Sequence, residues 1–171
     1  LLTSPTASGK TEALVAPLYQ RHISFRRERI SIIYVAPTKA LVNDIYIRLG
    51  EYLGGDCVTR YTGDHHDFHC AERASILVTT PEALDSLQLT RSDELNGVRA
   101  VAIDEVHFIH GTARGQQLRY VIERIKAASA QPRVLRDSFQ VIASSATLRD
   151  GDAVRNLWLG EGSVLVRVPG D

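Results

Sequence analysis

Apolar residues along this chain fall into two alternating patterns. Runs rich in Val and Ile, continuous or nearly so, occur at Ile30–Ala36, Cys57–Tyr61, Ile76–Thr79, Val98–Ile103, Phe139–Ala143 and Val164–Val168. Short runs without polar alternation suit strands buried on both faces of a parallel sheet. Between them the period changes. Leu41, Ile45, Leu49 and Leu53 recur at every fourth position, and Leu118, Val121, Ile122 and Ile125 follow the i, i+3, i+4, i+7 pattern of a one-sided helix. Further helices are expected over Lys10–Arg21, Pro81–Leu89 and Gly151–Leu159. Pro5, Pro37 and Pro81 stand just after strands, where a parallel crossover leaves the sheet. With Leu1–Thr3 read as the end of a first strand, the predicted order is β-α-β-α-β-β-α-β-α-β-α-β. That order describes an α/β domain, a parallel sheet with helices on both faces. Ligands in such sheets bind at the carboxyl ends of the strands, and the chemically notable residues fall there.

Composition narrows the classes without choosing a function. The 171 residues suffice for one domain, and 44% hydrophobic with 23% charged residues is an ordinary globular balance. Disordered, collagen-like and disulfide-scaffold proteins are excluded. No apolar run approaches the ~18 residues that span a bilayer, so no membrane partner is expected. Lys plus Arg and Asp plus Glu are 20 each, so a nucleic-acid partner would have to be held by a local surface rather than by bulk charge. Two cysteines fit a reducing compartment, hence an intracellular, cytoplasmic location. The chain has no Met and opens on Leu1-Leu2-Thr3, which reads as a strand with its beginning cut off; an N-terminally truncated piece of something longer is expected.

Two segments carry candidate chemistry. Ser4-Pro-Thr-Ala-Ser-Gly-Lys-Thr11 lies between a strand and a helix and fits the phosphate-loop pattern GxxxxGK[ST], with Ser4 in place of the first Gly. Such a loop wraps a polyphosphate with backbone N–H groups at a helix N-terminus, where the helix dipole also favours negative charge. Gly9 permits close approach, Lys10 would reach the β- and γ-phosphates, and the Thr11 hydroxyl would ligate Mg²⁺. A Ser/Thr/Gly turn capping a helix is the plainer alternative. Asp104-Glu-Val-His107 ends the apolar run Val98–Ile103. Two carboxylates emerging from a buried strand are costly unless a cation or partner compensates. Asp104 would hold Mg²⁺ and Glu105 would orient and deprotonate an attacking water. Taken alone, the pair reads equally well as two acids capping the next helix.

Together with four further segments these motifs resemble the first RecA-like domain of superfamily 2 helicases, over almost the whole chain and in order. SPTASGKTE resembles motif I, Ala36-Pro-Thr-Lys-Ala-Leu-Val-Asn-Asp44 motif Ia, and Tyr61-Thr-Gly-Asp64 the TGD-type motif. Thr79-Thr-Pro-Glu-Ala-Leu84 resembles motif Ib, DEVH motif II, and Ser144-Ser-Ala-Thr147 motif III. The DEVH form, the TASGKT loop and Arg114-Gly115 are most similar to Lhr-type and related DExH helicases. The resemblance implies a RecA-like P-loop NTPase fold over residues 1–171, with a second RecA-like domain of the same parent protein lying outside this chain. It implies ATP held by Thr6, Ala7, Ser8, Gly9, Lys10, Thr11 and Glu12, Mg²⁺ on Thr11 and Asp104, and catalysis by Lys10, Asp104 and Glu105. His107, Ser145 and Thr147 would couple the nucleotide state to grip on a strand. Pro37, Thr38, Gly63, Thr80 and Pro81 would line a groove for the backbone of single-stranded or duplex DNA or RNA. Small side chains and backbone N–H groups suit phosphates without reading sequence. Strand-exit Pro and helix capping by Thr account for the same residues.

The remaining features are weaker. His65, His66, His69 and Cys70 suggest zinc by composition, but two are adjacent and no second ligand cluster follows, so a solvated polar loop is the better reading. Arg21, His22, Arg26, Arg27 and Arg29 form a basic patch that could touch nucleic acid, although a helix C-terminus and a solvated surface are the better reading. Trp158 is expected in the core. The leading function is an ATP-driven helicase motor lobe. A duplex translocase without strand separation and a non-catalytic nucleic-acid-binding module are the alternatives.

Overall fold

The computed structural model describes residues 1–5, 9–22, 30–66, 74–129, 139–148 and 150–168. In chain order these form β1 (Leu2–Thr3), α1 (Lys10–His22), β2 (Ile32–Val35), α2 (Lys39–Leu53), β3 (Val58–Thr62), β4 (His65–His66) and β5 (Ile76–Thr79). There follow α3 (Pro81–Thr90), β6 (Ala100–Ile103), α4 (Ala113–Ser129), β7 (Gln140–Ser145), α5 (Gly151–Leu159) and β8 (Val166–Arg167). The eight strands make one sheet in the order β4-β3-β5-β2-β6-β7-β1-β8. The β3–β4 pair is antiparallel and every other pair is parallel.

Strand alternation divides the core into two layers. Ile32, Tyr34, Ala36, Ile76, Val78, Ala100 and Ala102 face α1 and α2, meeting Leu14, Val15, Leu18, Val42, Ile45 and Leu49. Ile33, Val35, Leu77, Val101 and Ile103 face the other way, onto Leu84 and Leu87 of α3, Leu118, Val121, Ile122 and Ile125 of α4, and Trp158 of α5. Each Val, Leu or Ile among them that is fully withdrawn from water contributes about 1.5–3 kcal/mol, and the alanines less. The central strands are buried on both faces because helices cover both, which explains the lack of polar alternation in their sequence.

Helix starts follow local chemistry. Thr38 caps α2 by accepting from Leu41 N–H, Thr80 caps α3 by accepting from Ala83 N–H, and Asp150 caps α5 by accepting from Ala153 N–H. Pro81 takes the first helical position of α3, where its missing N–H has no helical acceptor to lose. Register then aligns the carboxyl ends. Val35 pairs with Thr79 and Ile103, Ile103 with Ala143, and Thr3 with Ser145. Ser4, Ala36, Thr80, Asp104 and Ser145 therefore arrive at one edge of the sheet.

Two details differ from the sequence reading, and some of its residues fall outside the described ones. His65–His66, expected in a loop, is a strand: Thr62-Gly63-Asp64-His65 reverses the chain, and His65 N–H bonds the Thr62 hydroxyl. His69 and Cys70 lie outside the described residues, as do Arg26, Arg27 and Arg29 of the basic patch. Val164–Val168, expected to be buried on both faces, holds only the two-residue edge strand β8, with Val164, Val166 and Val168 exposed. It pairs on one side with β1 and nothing among the described residues covers its faces fully. No helix among the described residues is long and apolar enough to cross a membrane.

Candidate active site and adjoining groove

Gly9 adopts φ +76°, a left-handed conformation that strains any other L-residue, and α1 begins immediately after it. Lys10, the first helical residue, is buried, and its Nζ lies 2.7 Å from Glu105 Oε1 although 95 positions separate them. A pair this deep loses much hydration on both sides, so its geometry and further hydrogen bonds must offset that loss. Glu105 has such bonds: its Oε2 accepts from Ala146 N–H at 2.9 Å and lies 3.2 Å from His107 Nδ1.

Asp104 leaves β6 with its N–H on Val35 O at 2.8 Å. Two donors converge on its Oδ1, the Ser144 hydroxyl at 2.5 Å and Glu105 N–H at 3.0 Å. That leaves Oδ2 as the oxygen available to a cation. Glu105 has φ +46° and ψ +50°, the single non-glycine residue with positive φ among the described residues. Holding a non-glycine residue there costs on the order of 1–3 kcal/mol and persists only where its surroundings enforce it. Here the Lys10, Ala146 and Asp104 contacts do so. Glu105 makes no side-chain cap to the 3-10 turn Val106–Phe108, which removes the helix-capping alternative for it.

A hydrogen-bond relay continues from the acidic pair. The Ser145 hydroxyl donates to Thr147 O at 3.0 Å and lies 2.9 Å from His107 Nδ1. One hydroxyl proton serves one acceptor, so Nδ1 carries the imidazole proton and donates to Ser145 Oγ. His107, Ser145 and the Thr147 backbone are thus joined, Thr147 entering through its carbonyl oxygen rather than its hydroxyl.

Tyr34 lies under the same edge. Alternation places it on the face of β2 that meets α1, as it places Ala102 and then Asp104 in the neighbouring strand. Its hydroxyl is buried and meets no partner at hydrogen-bond geometry, although Thr11 and Asp104 are its neighbours. Burial pushes the phenol well above its ordinary 10.0, the Asp104 carboxylate pushes it further, and the Thr11 hydroxyl opposes. The donor set here consists of hard oxygens from Thr11 and Asp104 beside a buried hydroxyl without a partner. It suits Mg²⁺, which takes one or two carboxylates and retains waters.

Next to this centre is a groove of ≈ 410 Å³ lined by Pro37, Thr38, Lys39, Gly63, Thr80 and Arg114, among others. The Thr38 and Thr80 hydroxyls are engaged as helix caps, so these positions offer chiefly backbone to a ligand. Pro81 is buried at the start of α3 and does not line the groove. Lys39 Nζ pairs with Asp64 Oδ2 at 2.6 Å across its rim. A larger recess of ≈ 640 Å³ lies between α4, β7 and α5, around Tyr120, Phe139 and Trp158, and contains none of the expected site residues.

Of the expected nucleotide residues, Gly9, Lys10 and Thr11 reach the centre. Glu12 is instead tied to Arg48 of α2. Thr6, Ala7 and Ser8 lie outside the described residues. Three contributors had no clear sequence signal. Tyr34 reads as core, Ala146 contributes its backbone, and Ser144 is distinguished from Ser145 only by strand alternation.

The DEAD/DEAH box helicase family pattern matches residues 1–155. The chain belongs to this family. The helicase domain is 34% identical over 199 aligned residues to the Lhr helicase/uracil glycosylase of Escherichia coli, covering 99% of this chain and 12% of that protein. The chain thus spans about an eighth of the length of that relative. The structure of Mycobacterium smegmatis helicase Lhr bound to ssDNA and AMP-PNP superposes with TM-score 0.80 at 28% identity, over 98% of this chain and 23% of that one. The DEAD-box helicase Mss116 bound to ssRNA and UDP-BeF shares the fold, with TM-score 0.77 at 22% identity over 91% of this chain and 33% of that one. A parallel RecA-like sheet with helices on both faces is therefore the architecture of this domain.

Proposed function

We propose that these residues are the ATP-binding motor lobe of an ATP-dependent nucleic-acid helicase, acting with a second RecA-like lobe of the same parent protein. The observation that carries this reading is the single network linking Lys10, Glu105, Asp104, Ser144, His107 and Ser145 at the carboxyl edge of the sheet, beside a groove lined by the residues of motifs Ia and Ib.

In this reading the triphosphate takes Lys10 from Glu105, and the loop around Gly9 supplies N–H donors at the start of α1. Thr11 and Asp104 would hold Mg²⁺, with Ser144 and Glu105 N–H fixing the Asp104 carboxylate; the ion would supply positive charge against the negative charge that develops on the phosphoryl group. Glu105, freed on Oε1, orients and deprotonates the attacking water. His107 and Ser145 pass the change at Glu105 to the end of β7. Pro37, Thr38, Gly63 and Thr80 contact the sugar-phosphate backbone of a strand. The relative solved with ssDNA and AMP-PNP and the neighbour solved with ssRNA support both kinds of ligand.

The test is ATP turnover by the full-length protein with and without single-stranded DNA and RNA, followed by strand displacement on a partial duplex. Strand-stimulated turnover with displacement is expected. Stimulation without displacement would favour a duplex translocase, and no turnover at all would leave a binding module.

A further inference from the structure

Arg114 stands in the first turn of α4, where a cation opposes the helix dipole and where α4 has no acidic residue. Its position therefore needs specific partners, and it has them on two other segments. Its Nε and Nη2 fork onto the two oxygens of Glu82 in the first turn of α3, the Nη2–Oε2 distance being 2.9 Å. The same Nη2 donates to the Pro37 carbonyl at 2.6 Å, in the turn that leads from β2 to Thr38. One guanidinium thus joins the motif Ia turn, the motif Ib helix and α4. One turn further along, Gln117 Nε2 donates to Asp85 Oδ2 at 2.6 Å and adds a second rung between the helices.

Arg114 is also closely connected to the acidic pair. From Glu105 the chain makes a 3-10 turn, with Phe108 N–H on Glu105 O and His110 N–H on Val106 O. The Thr112 hydroxyl then donates to Ile109 O and accepts Gly115 N–H. Gly115 admits no side chain, because a Cβ would overlap the Ile109 carbonyl. These bonds brace the segment that runs from Glu105 to Arg114.

We propose that Arg114 is a positioning residue that locks the two walls of the groove together and carries displacement at Glu105 to the nucleic-acid strand. This rests on the motor reading above. The fork and the backbone acceptor make Arg specific here, since Lys has one nitrogen and no fixed plane. Exposed ion pairs add little to stability, so the expected effect is on groove geometry rather than on folding.

Arg114→Lys and Glu82→Gln in the full-length protein test this, with oligodeoxythymidine and oligouridine as strands. Arg114→Lys should raise the strand concentration for half-maximal ATPase stimulation about tenfold, the scale of one charge-assisted hydrogen bond. Nucleotide affinity measured without a strand, and the melting temperature, should be unchanged. Glu82→Gln should act in the same direction, and the double variant should be no worse than the worse single, because both break one contact. An unchanged strand requirement in Arg114→Lys would overturn the proposal. So would a parallel fall in strand affinity, nucleotide affinity and melting temperature. Absence of strand stimulation in the unmodified protein would sink the motor reading itself, and this inference with it.

Discussion

Lys10 and Glu105 contribute opposite halves of one contact, yet the proposed roles separate them. Lys10→Ala in the full-length protein should weaken Mg-nucleotide binding by roughly 1.5–3 kcal/mol, the value of a charge-assisted phosphate contact. Glu105→Gln should retain or tighten binding while suppressing hydrolysis, since the phosphate no longer competes with a carboxylate for the lysine. Nucleotide titration and turnover measured on both variants decide between separate and shared roles. Glu82 supplies a pH signature. Burial raises its carboxyl, but the hydrogen bond and charge of Arg114, with its own backbone and the Thr80 hydroxyl, outweigh that and hold it below the ordinary 4.5. A depressed carboxyl contributes stability above its unfolded value and loses it as the pH falls through the folded value. The pair with Arg114 is largely exposed and its contribution small, so thermal midpoints of the unmodified chain should fall only slightly more steeply with acid below 4.5 than those of Glu82→Gln, which lacks that carboxyl.

At the scale of elements, the central strands and the five α-helices of the described residues were legible because one physical rule governs each. Ile32–Val35, Ile76–Thr79 and Ala100–Ile103 are apolar at every position or nearly so because both faces are covered. The spacing of Leu118, Val121, Ile122 and Ile125 records one covered face of α4. β4 was not legible, since His65 and His66 carry no apolar signal and their pairing is decided by the reversal at Gly63. Nor was the exposure of β8, because three valines look alike whether a helix covers them or water does. Arg114 could be read only as part of a family signature, because its partners Pro37 and Glu82 are distant in sequence. Gly115 allows the close approach of α4 to Ile109 and Trp158. Gly115→Ala should destabilise the domain by about 1–3 kcal/mol through overpacking, measured by urea unfolding with binding measured separately on the folded fraction.

For the whole molecule, charge balance and active-site placement fit together. A chain with 20 acidic and 20 basic residues has no overall attraction for polyanions. The two cations that line its candidate groove, Lys39 and Arg114, are each paired with a carboxylate, of Asp64 and Glu82, so on the proposed reading backbone and small residues at strand ends meet the strand. On the motor reading proposed above, the 171 residues carry Lys10, Thr11, Asp104 and Glu105, and a second RecA-like lobe would supply arginines to the same site. An arginine contributed in that way is worth about 10³–10⁵ in rate. The isolated chain is accordingly expected to bind Mg-nucleotide weakly, to discriminate poorly between ATP and GTP, and to show negligible hydrolysis and no unwinding. Robust strand-stimulated turnover by the chain alone would contradict the two-lobe requirement.

The 2.7 Å contact between Lys10 and Glu105 has a further consequence for control. With the roles proposed here, the carboxylate that attacks through water is engaged for as long as the site lacks nucleotide. It is released by the arrival of the phosphate that will be cleaved. The pair then works as an interlock, in which cargo arms the machinery that consumes it. Such a site has no need of a separate safeguard against idle activation of water, because the safeguard and the binding contact are the same lysine.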